Sequence, residues 1–402
     1  MDASRFQPGA LDGVRIVDLS RILAGPSCTQ LLADLGADVV KVEKPAEGDD
    51  TRKWGPPYHV GHDGADLAES AYYCAANRNK RSVEIDLASA SGQLLMRELL
   101  GDADVVVENY KVGALSRYGL GYDDLSKEFP RLVYCSITGF GQTGPYADRP
   151  GYDFVAQAMG GLMSITGQPE GEPTKVGVGI VDLMCGMYAT VGILAALRHR
   201  DRTGEGQHID CSLLDSCVAM LANEGTNFLT SGKVPQRRGN DHPNIVPYRV
   251  FQTADGFMII AVGNDQQFQK WCVVAGAHDL ASHPDYQRNA DRVRNREVLN
   301  SRVAHYMRSK HSAAWLEELG AAGVPCSPIH DIQDAFNDPH VRSRGMLVEI
   351  DSKRTKSGAI PVIGNPLKMS RTPPTYRMEP PSLGEHTGEV FLEWLDKRGH
   401  TA

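Results

Sequence analysis

Along the first 140 residues, short runs of β-branched residues alternate with stretches whose apolar positions recur every three or four residues. Val14–Ser20 is such a run. It leads into Ala24–Gly36, a predicted helix opened by Gly25-Pro26 and stopped at Gly36, and then into a second run, Asp38–Lys44. Strand, helix and strand in this order predict a right-handed parallel unit with its ligand at the carboxyl ends of the strands. The alternation continues with strand Ser82–Leu87, amphipathic helix Ser89–Leu100, strand Asp104–Tyr110 and strand Leu132–Phe140. This predicts a doubly wound, Rossmann-like α/β domain.

Beyond it the pattern turns helical, with Tyr152–Ile165, a long helix around Asp182, and Leu213–Leu229. Gly, Pro, Asn and Arg cluster in Ser231–Pro247, which reads as a hinge or active-site loop. Strands Tyr248–Thr253 and Phe257–Gly263, followed by helices, predict a smaller α/β domain. The tail holds a strand near Met346–Ile350 and is too small to form a core of its own. The expected division is a large domain over 1–230, a small one over 245–325, and a segment 326–402 that returns to the large domain.

The helix around Asp182 is the most informative stretch. Leu183, Met184, Met187, Tyr188, Val191, Leu194 and Leu197 are spaced as a buried stripe, and Arg198, Arg200 and Arg202 precede a Gly204 stop. Asp182 falls in the first turn, where the helix dipole favours an ionised carboxylate. A plain capping Asp would satisfy that position. Its neighbours at helical spacing, Cys185, Gly186 and Ala189, are all small, which lets another backbone or a ligand approach.

Composition narrows the function classes. The net charge is −8, with no long Lys/Arg run, so nucleic acid is not an expected partner. Met1–Ala10 lacks the apolar run of a secretory signal, and no eighteen apolar residues run together, so a cytoplasmic chain with no membrane span is expected. The eight cysteines are scattered singly, without Cys-x-x-Cys, which favours reduced thiols over disulfides or a metal site.

Arg21, Lys44, Arg52, Trp54, Asn79, Lys80, Arg81, Asn109, Lys111 and Arg117 fall in strand-to-helix connections. Taken singly, each suits a solvated loop; together they suit a ligand with phosphates and a flat ring. The Ser20–Gly25 turn has no G-x-G-x-x-G, which disfavours a dinucleotide.

Read together, L-D-G-V-R-I-V-D-L-S-R-I-L-A-G-P, G-A-D-V-V-K-V-E-K-P, N-R-N-K-R-S, Y-C-S-I-T-G-F-G-Q-T-G-P, R-P-G-Y-D-F-V-A-Q-A and the late L-G-E-H-T resemble the class III coenzyme A transferases of the formyl-CoA transferase type, over nearly the whole chain. T-R-K-W-G-P-P and R-R-G-N-D-H-P-N-I-V-P-Y are similar to the succinyl-CoA:glutarate members. The resemblance implies an interlocked-ring homodimer and a nucleophilic Asp182, with coenzyme A or acyl-CoA as substrate and no permanently bound cofactor or metal. It places coenzyme A contacts at Arg21, Ile22, Ala24, Lys44, Lys80, Asn109, Tyr110, Ala114, Arg117, Tyr118, Thr138 and Phe140. Leu23 and Thr138 replace a glutamine and a lysine of the formyl-CoA enzyme, which argues against oxalate or formate as substrate.

Moving coenzyme A between carboxylates needs an oxygen nucleophile that can itself become an acyl group, which Asp supplies. Oxyanion donors are expected from Arg238, Gly239 and Asn240 or from the helix start at Asp182. The Gln236–Pro247 loop is expected either to serve as a lid or to be a plain linker, and Arg237 or Arg238 to clamp a second substrate carboxylate. Two alternatives stand beside transfer. An α-methylacyl-CoA racemase would need a second acid–base group where this chain has Tyr152, and a coenzyme A-binding protein would show no turnover.

Overall fold

The computed structural model describes residues 9–395. The opening residues read above for a signal, 1–8, lie outside the described part. Two compact units emerge, one of Met1–Leu162, Lys175–Ala222 and Pro339–Ala402, the other of Met163–Thr174 and Asn223–Asp338.

In the first unit, β1 (Arg15–Asp18), α1 (Ala24–Asp34) and β2 (Asp38–Glu43) form the parallel unit expected from their spacing. A hairpin of β3 (Tyr58–Val60) and β4 (Asp66–Ser70) follows, then β5 (Lys80–Glu84), β6 (Val105–Glu108), β7 (Val133–Thr138) and β8 (His208–Ser212). The six-stranded sheet runs β5-β2-β1-β6-β7-β8 and is parallel throughout. Val17 sits between Val40 and Val106, so the centre is apolar on both faces, as a helix-covered parallel sheet requires. One face is covered by α1 and by α2 (Asp153–Met159), α3 (Ile180–Thr203) and α4 (Leu213–Ala219). The other is covered by helix Ala90–Gly101 and the C-terminal helix Thr387–Leu395, whose Val390 and Trp394 are fully buried. Strand order reverses between β1 and β6, which places the ligand crevice of an open α/β sheet at their carboxyl ends.

The second unit has its own core around Phe268, Trp271 and Trp315 and an antiparallel sheet, β9 (Tyr248–Gln252) to β10 (Phe257–Ala261) to β11 (Cys326–Pro328). Because β11 adds to β10, residues 326–338 cluster with this unit and not with the C-terminal segment, where the expected boundary at 325 would have put them. In the first unit, β12 (Leu347–Asp351) and β13 (Ala359–Ile363) pair antiparallel ahead of the C-terminal helix.

Three helix readings need correction. Tyr152–Ile165 breaks at Gly160-Gly161, with Gly161 in the left-handed region, and Leu213–Leu229 breaks near Ala222 (φ 43°). The stripe on α3 is inverted over its first turns: Leu183, Met187, Tyr188 and Val191 are 36–61% exposed, while Cys185, Gly186, Ala189 and Ile193 face the core; further along, Leu194 and Leu197 pack on the core as expected. The reason is the close approach of α1. A Cβ on Gly186 would lie 2.6 Å from the Ala24 carbonyl oxygen, so the small side of α3 is the one that fits there. By length and apolarity α3 could cross a bilayer (mean hydropathy 1.9), but half of that span is buried in this unit.

Candidate active site

The crevice forms where β1 and β6 exit the sheet side by side. The turn after β1 puts Ile22 in the left-handed region (φ 73°), a strained conformation for a β-branched residue. It is held by reciprocal bonds to the end of β6. Arg21 N–H donates to Asn109 Oδ1 (2.9 Å) and Asn109 Nδ2 donates to the Arg21 carbonyl (2.7 Å). The resulting cleft, about 390 Å³, is walled by segments 21–24, 109–112 and 137–139, by the 147–152 loop, and by Asp182 and Leu213. An adjoining hollow of about 330 Å³ carries Lys44 and Trp54 and shares Arg21 and Tyr110 with the cleft.

Of the expected coenzyme A contacts, Arg21, Ile22, Ala24, Asn109, Tyr110, Ala114 and Thr138 line the cleft and Lys44 lines the hollow. Lys80 does not reach either. It is fully buried, donating to Asp18 Oδ2 (3.0 Å), the Pro26 carbonyl (2.9 Å) and Asn77 Oδ1 (2.9 Å). Arg52, Asn79 and Arg81 are likewise committed inward. Arg52 grips Glu43 through Nε and Nη2 at 2.8 and 2.7 Å, Asn79 donates to Asp34, and Arg81 pairs with Asp38 and Glu393. These strand-end cations are internal partners of carboxylates on the neighbouring strand and helix, so only part of the cationic set faces a ligand. Arg117 is exposed in the turn Leu115–Tyr118, Tyr118 packs half-buried on the apolar layer, and the Phe140 ring lies edge-on to Tyr146; these three line neither the cleft nor the hollow. The sequence reading missed Arg149, a cleft residue held over the Tyr146 ring (4.0 Å), because an isolated loop arginine has no periodicity to mark it.

Asp182 is the third residue of α3 and is 8% exposed. It is not the helix cap. That role falls to Asp153, at the start of α2, whose Oδ1 accepts from the N–H groups of Val181 (2.8 Å) and Asp182 (3.2 Å). Gln157, one turn along α2, donates to Asp153 Oδ2 (2.6 Å) and accepts from Val176 N–H, which fixes the Asp153 rotamer. The remaining first-turn donors are also spent: Ile180 N–H on the Val178 carbonyl and Leu183 N–H on that of Gly179. The start of α3 therefore has no free donor for an oxyanion, contrary to expectation.

Among the described residues no group donates to the Asp182 carboxylate. Burial, reinforced by the negative charge of Asp153, pushes its pKa from an ordinary 3.8 up to about 7. This corrects the expectation of a firmly ionised side chain, since the dipole that would favour the anion is already answered by Asp153. The same two carboxylates raise the Tyr72 hydroxyl, after burial, and Tyr72 meets Trp54 edge-on at 5.2 Å.

The expected loop residues belong to the second unit. Arg237 Nη2 donates to the Gly171 carbonyl (2.8 Å), Arg238 pairs with Glu224 (3.4 Å), and Gly239, with φ 60°, donates its N–H to the Gly167 carbonyl (3.0 Å). Asn240 is exposed. The loop is thus tied down within its own unit rather than hanging free.

A carboxylate with a raised pKa and, among the described residues, no donor, set in the wall of a cation-bearing cleft at the sheet's switch point, is an arrangement for acyl chemistry. The sequence profile of CoA-transferase family III matches residues 11–387. The chain belongs to that family. Among its relatives, the succinate–glutarate CoA-transferase of Agrobacterium fabrum is 47% identical over 95% of both chains. The human succinyl-CoA:glutarate CoA-transferase is 41% identical over 98% of this chain and 87% of its own. The crystal structure of a CaiB/BaiF family protein from Brucella suis superposes with a TM-score of 0.83 at 45% identity, covering 96% of this chain and all of that one. For a family III CoA-transferase the substrates are coenzyme A thioesters and carboxylates, and the cleft has the cations for the first and a candidate nucleophile for the transfer.

Proposed function

We propose that the enzyme moves coenzyme A from succinyl-CoA to glutarate with Asp182 as nucleophile. The observation that carries this reading is the Asp182 carboxylate, free of hydrogen-bond donors and set in the cleft wall. An Asp oxygen attacks the succinyl carbonyl, the C–S bond breaks, and coenzyme A leaves as thiolate with a mixed succinyl–aspartyl anhydride behind it. The thiolate attacks the aspartyl carbonyl, releasing succinate and leaving an aspartyl thioester. A glutarate carboxylate displaces the thiolate to form a second anhydride, and return of the thiolate to the glutaryl carbonyl gives glutaryl-CoA and regenerates Asp182. No net proton or electron is exchanged, so an aspartate nearly balanced between its two forms at pH 7 suits the cycle: it is reactive when ionised and weakly solvated.

Arg21, Lys111 and Arg149 are our candidates for the coenzyme A phosphates. Arg237 and Arg238 are our candidates for the far carboxylate of a dicarboxylate, on the ground that a planar guanidinium matches it. The Gln236–Pro247 loop is proposed to keep water from the anhydride, and Asn240 to supply an oxyanion donor, the Gly239 N–H being held by the Gly167 carbonyl. The exposed apolar side of α3 supports a homodimer, because four large apolar side chains on one helix face call for cover; light scattering in solution checks it. A racemase is disfavoured because Asp153 is spent on capping α3 and a phenol, not an imidazole or carboxylate, stands at position 152 where the second acid–base group would be needed.

Incubation with succinyl-CoA and hydroxylamine or borohydride should label Asp182, and glutarate should yield glutaryl-CoA by mass. A label elsewhere, or transfer without any label, overturns the mechanism. Epimerisation at an α-carbon without transfer would overturn the activity.

A further inference from the structure

Four cysteines from separate elements converge where the helix that carries Asp182 packs on α1 and the sheet. Cys28 lies on α1, Cys135 on β7, Cys185 on α3 and Cys211 on β8. Cys185 and Cys211 are in contact, Sγ to Sγ 3.4 Å, closer than two thiols pack without a bond or a shared hydrogen. Cys211 Sγ also reaches the Cys185 carbonyl oxygen at 3.6 Å.

We propose that Cys185 and Cys211 form a reversible disulfide under peroxide, and that this bond suspends transfer. Three observations point to this pair. Cys211 is half-buried on the edge strand of the sheet, within reach of a small oxidant, whereas Cys28, Cys135 and Cys185 are fully enclosed. The hydrogen-bond contact with Cys185 holds the Cys211 thiol below the ordinary thiol range, while burial lifts Cys28 to about 12 and Cys135 higher still. The attacking member and the resolving member are therefore distinct and already adjacent. Finally, the bond would join α3, which furnishes Asp182 to the cleft wall, to β8, which leads directly into the wall residue Leu213. Cys185 is one turn beyond Asp182 on α3, and Cys211 is two residues before Leu213 and paired across the sheet with Ile137.

In the first step Cys211 thiolate attacks hydrogen peroxide, the O–O bond breaks, and a sulfenic acid and hydroxide result. Cys185 then attacks the sulfenic sulfur, the S–O bond breaks, and water leaves. In sum two thiols and one peroxide give one disulfide and two waters, and a dithiol reductant reverses the change by thiol–disulfide exchange. Drawing the sulfurs into bonding distance shifts the first turns of α3 against β8 and with them the Asp182 carboxylate. A displacement of that order costs transfer roughly tenfold to a hundredfold.

The formation of the bond is independent of the role given to Asp182, whereas its effect on turnover rests on that role, so the two are read separately. Full-length enzyme is treated with hydrogen peroxide, with and without later dithiothreitol. Peptide mapping should find a Cys185–Cys211 crosslink lighter by two hydrogens, and turnover should fall and recover with reductant. Cys211→Ser and Cys185→Ser should each keep basal turnover and lose the reversible inhibition. Mapping the untreated and treated wild type needs no variant to fold. A crosslink between other cysteines, oxidation to sulfinic acid without a crosslink, or a mapped crosslink with undiminished turnover would each overturn the proposal. Hydroxylamine labelling of Asp182 in the reduced enzyme is the separate control on the nucleophile.

Discussion

Asp18 and Asp182 are both aspartates of the first unit buried near the carboxyl ends of the sheet, 0% and 8% exposed, yet one is held near pKa 2 and the other near 7. Burial pushes both upward. At Asp18 the push is overcome by Lys80 and Lys41, with hydroxyls of Ser20 and Thr29 adding to the effect. At Asp182 nothing opposes it and Asp153 adds to it. Partners, not depth, decide the charge state. The Asp18 region forms a closed network in which Lys41 bridges Asp49 and the Ser20 carbonyl, while the Asp182 region leaves one carboxylate unanswered at the cleft. Within the network the lysines differ too. Lys80 is pushed down to about 8, chiefly by burial, because it shares Asp18 with Lys41, whereas Lys41 has Asp49 as well and is raised.

The sharpest way to break the contrast is Asp182→Asn. Turnover should fall by about three orders of magnitude or more, since the replacement cannot form the anhydride. The same variant should be more stable at pH 8. A carboxyl whose pKa is raised on folding favours the native state below its unfolded value of 3.8 and loses that advantage as pH rises through about 7. Removing the charge should then raise stability by ~1–3 kcal/mol at pH 8 and change little at pH 4, read by denaturant melts at the two values. Unchanged stability at pH 8 would mean that Asp182 is better solvated than its burial implies.

Lys80→Met attacks the other half. It leaves Asp18 buried with one fewer cation, and ~3–5 kcal/mol should be lost in chemical denaturation near neutral pH. The carboxylate now stabilised by Lys80 has its pKa depressed, so its contribution is present above 3.8 and disappears as pH falls toward 2; the penalty of the variant should shrink over the same window. Were Lys80 a direct coenzyme A contact, the loss would appear in KM instead.

Five of the six strands of the parallel sheet were legible because Val and Ile recur in them, a feature that survives any packing; the edge strand β8, His-Ile-Asp-Cys-Ser, has one β-branched residue and was missed. The orientation of α3 was not. An apolar stripe at 3.6-residue spacing marks a surface that avoids water, but it cannot tell whether the cover comes from the same chain, and here the small residues won the contact with α1. The cation set was over-read for a related reason. Composition gives Lys80, Arg52 and Arg81 a charge, but their partners come from distant strands and helices. Asp153 escaped notice as a cap because it answers a helix 28 residues further on, a pairing no local motif encodes.

Gly186→Ala tests how far the two regions are joined through α1. The added Cβ meets Ser27 Oγ at 2.5 Å and the Ala24 carbonyl at 2.6 Å, and the carbonyl cannot rotate away. A loss of ~1–3 kcal/mol in thermal or chemical melts follows from overpacking. Because α1 follows the β1 turn that lines the cleft, KM for the thioester should rise as well. A variant as stable as wild type would show that the α1–α3 contact is slack.

The smallest expected effect is the most selective. In Asp153→Asn the amide oxygen still accepts from Val181 and Asp182 N–H, so α3 keeps its cap, but the bond from Gln157 Nε2 is lost because Nδ2 cannot accept it, and the negative charge beside Asp182 is gone. Burial, the larger cause of the raised pKa, is untouched. The pH profile of kcat/KM in wild type should rise with an acid limb near 7, where Asp182 becomes ionised. In Asp153→Asn that limb should move toward lower pH by a fraction of a unit to about one unit, equivalent to ~1 kcal/mol. The plateau is a second readout: a more weakly basic carboxylate is a poorer nucleophile, so the rate at high pH should drop modestly while the rate near pH 6 holds or rises. A purely structural role for Asp153 would lower the rate equally at all pH values and leave the limb in place.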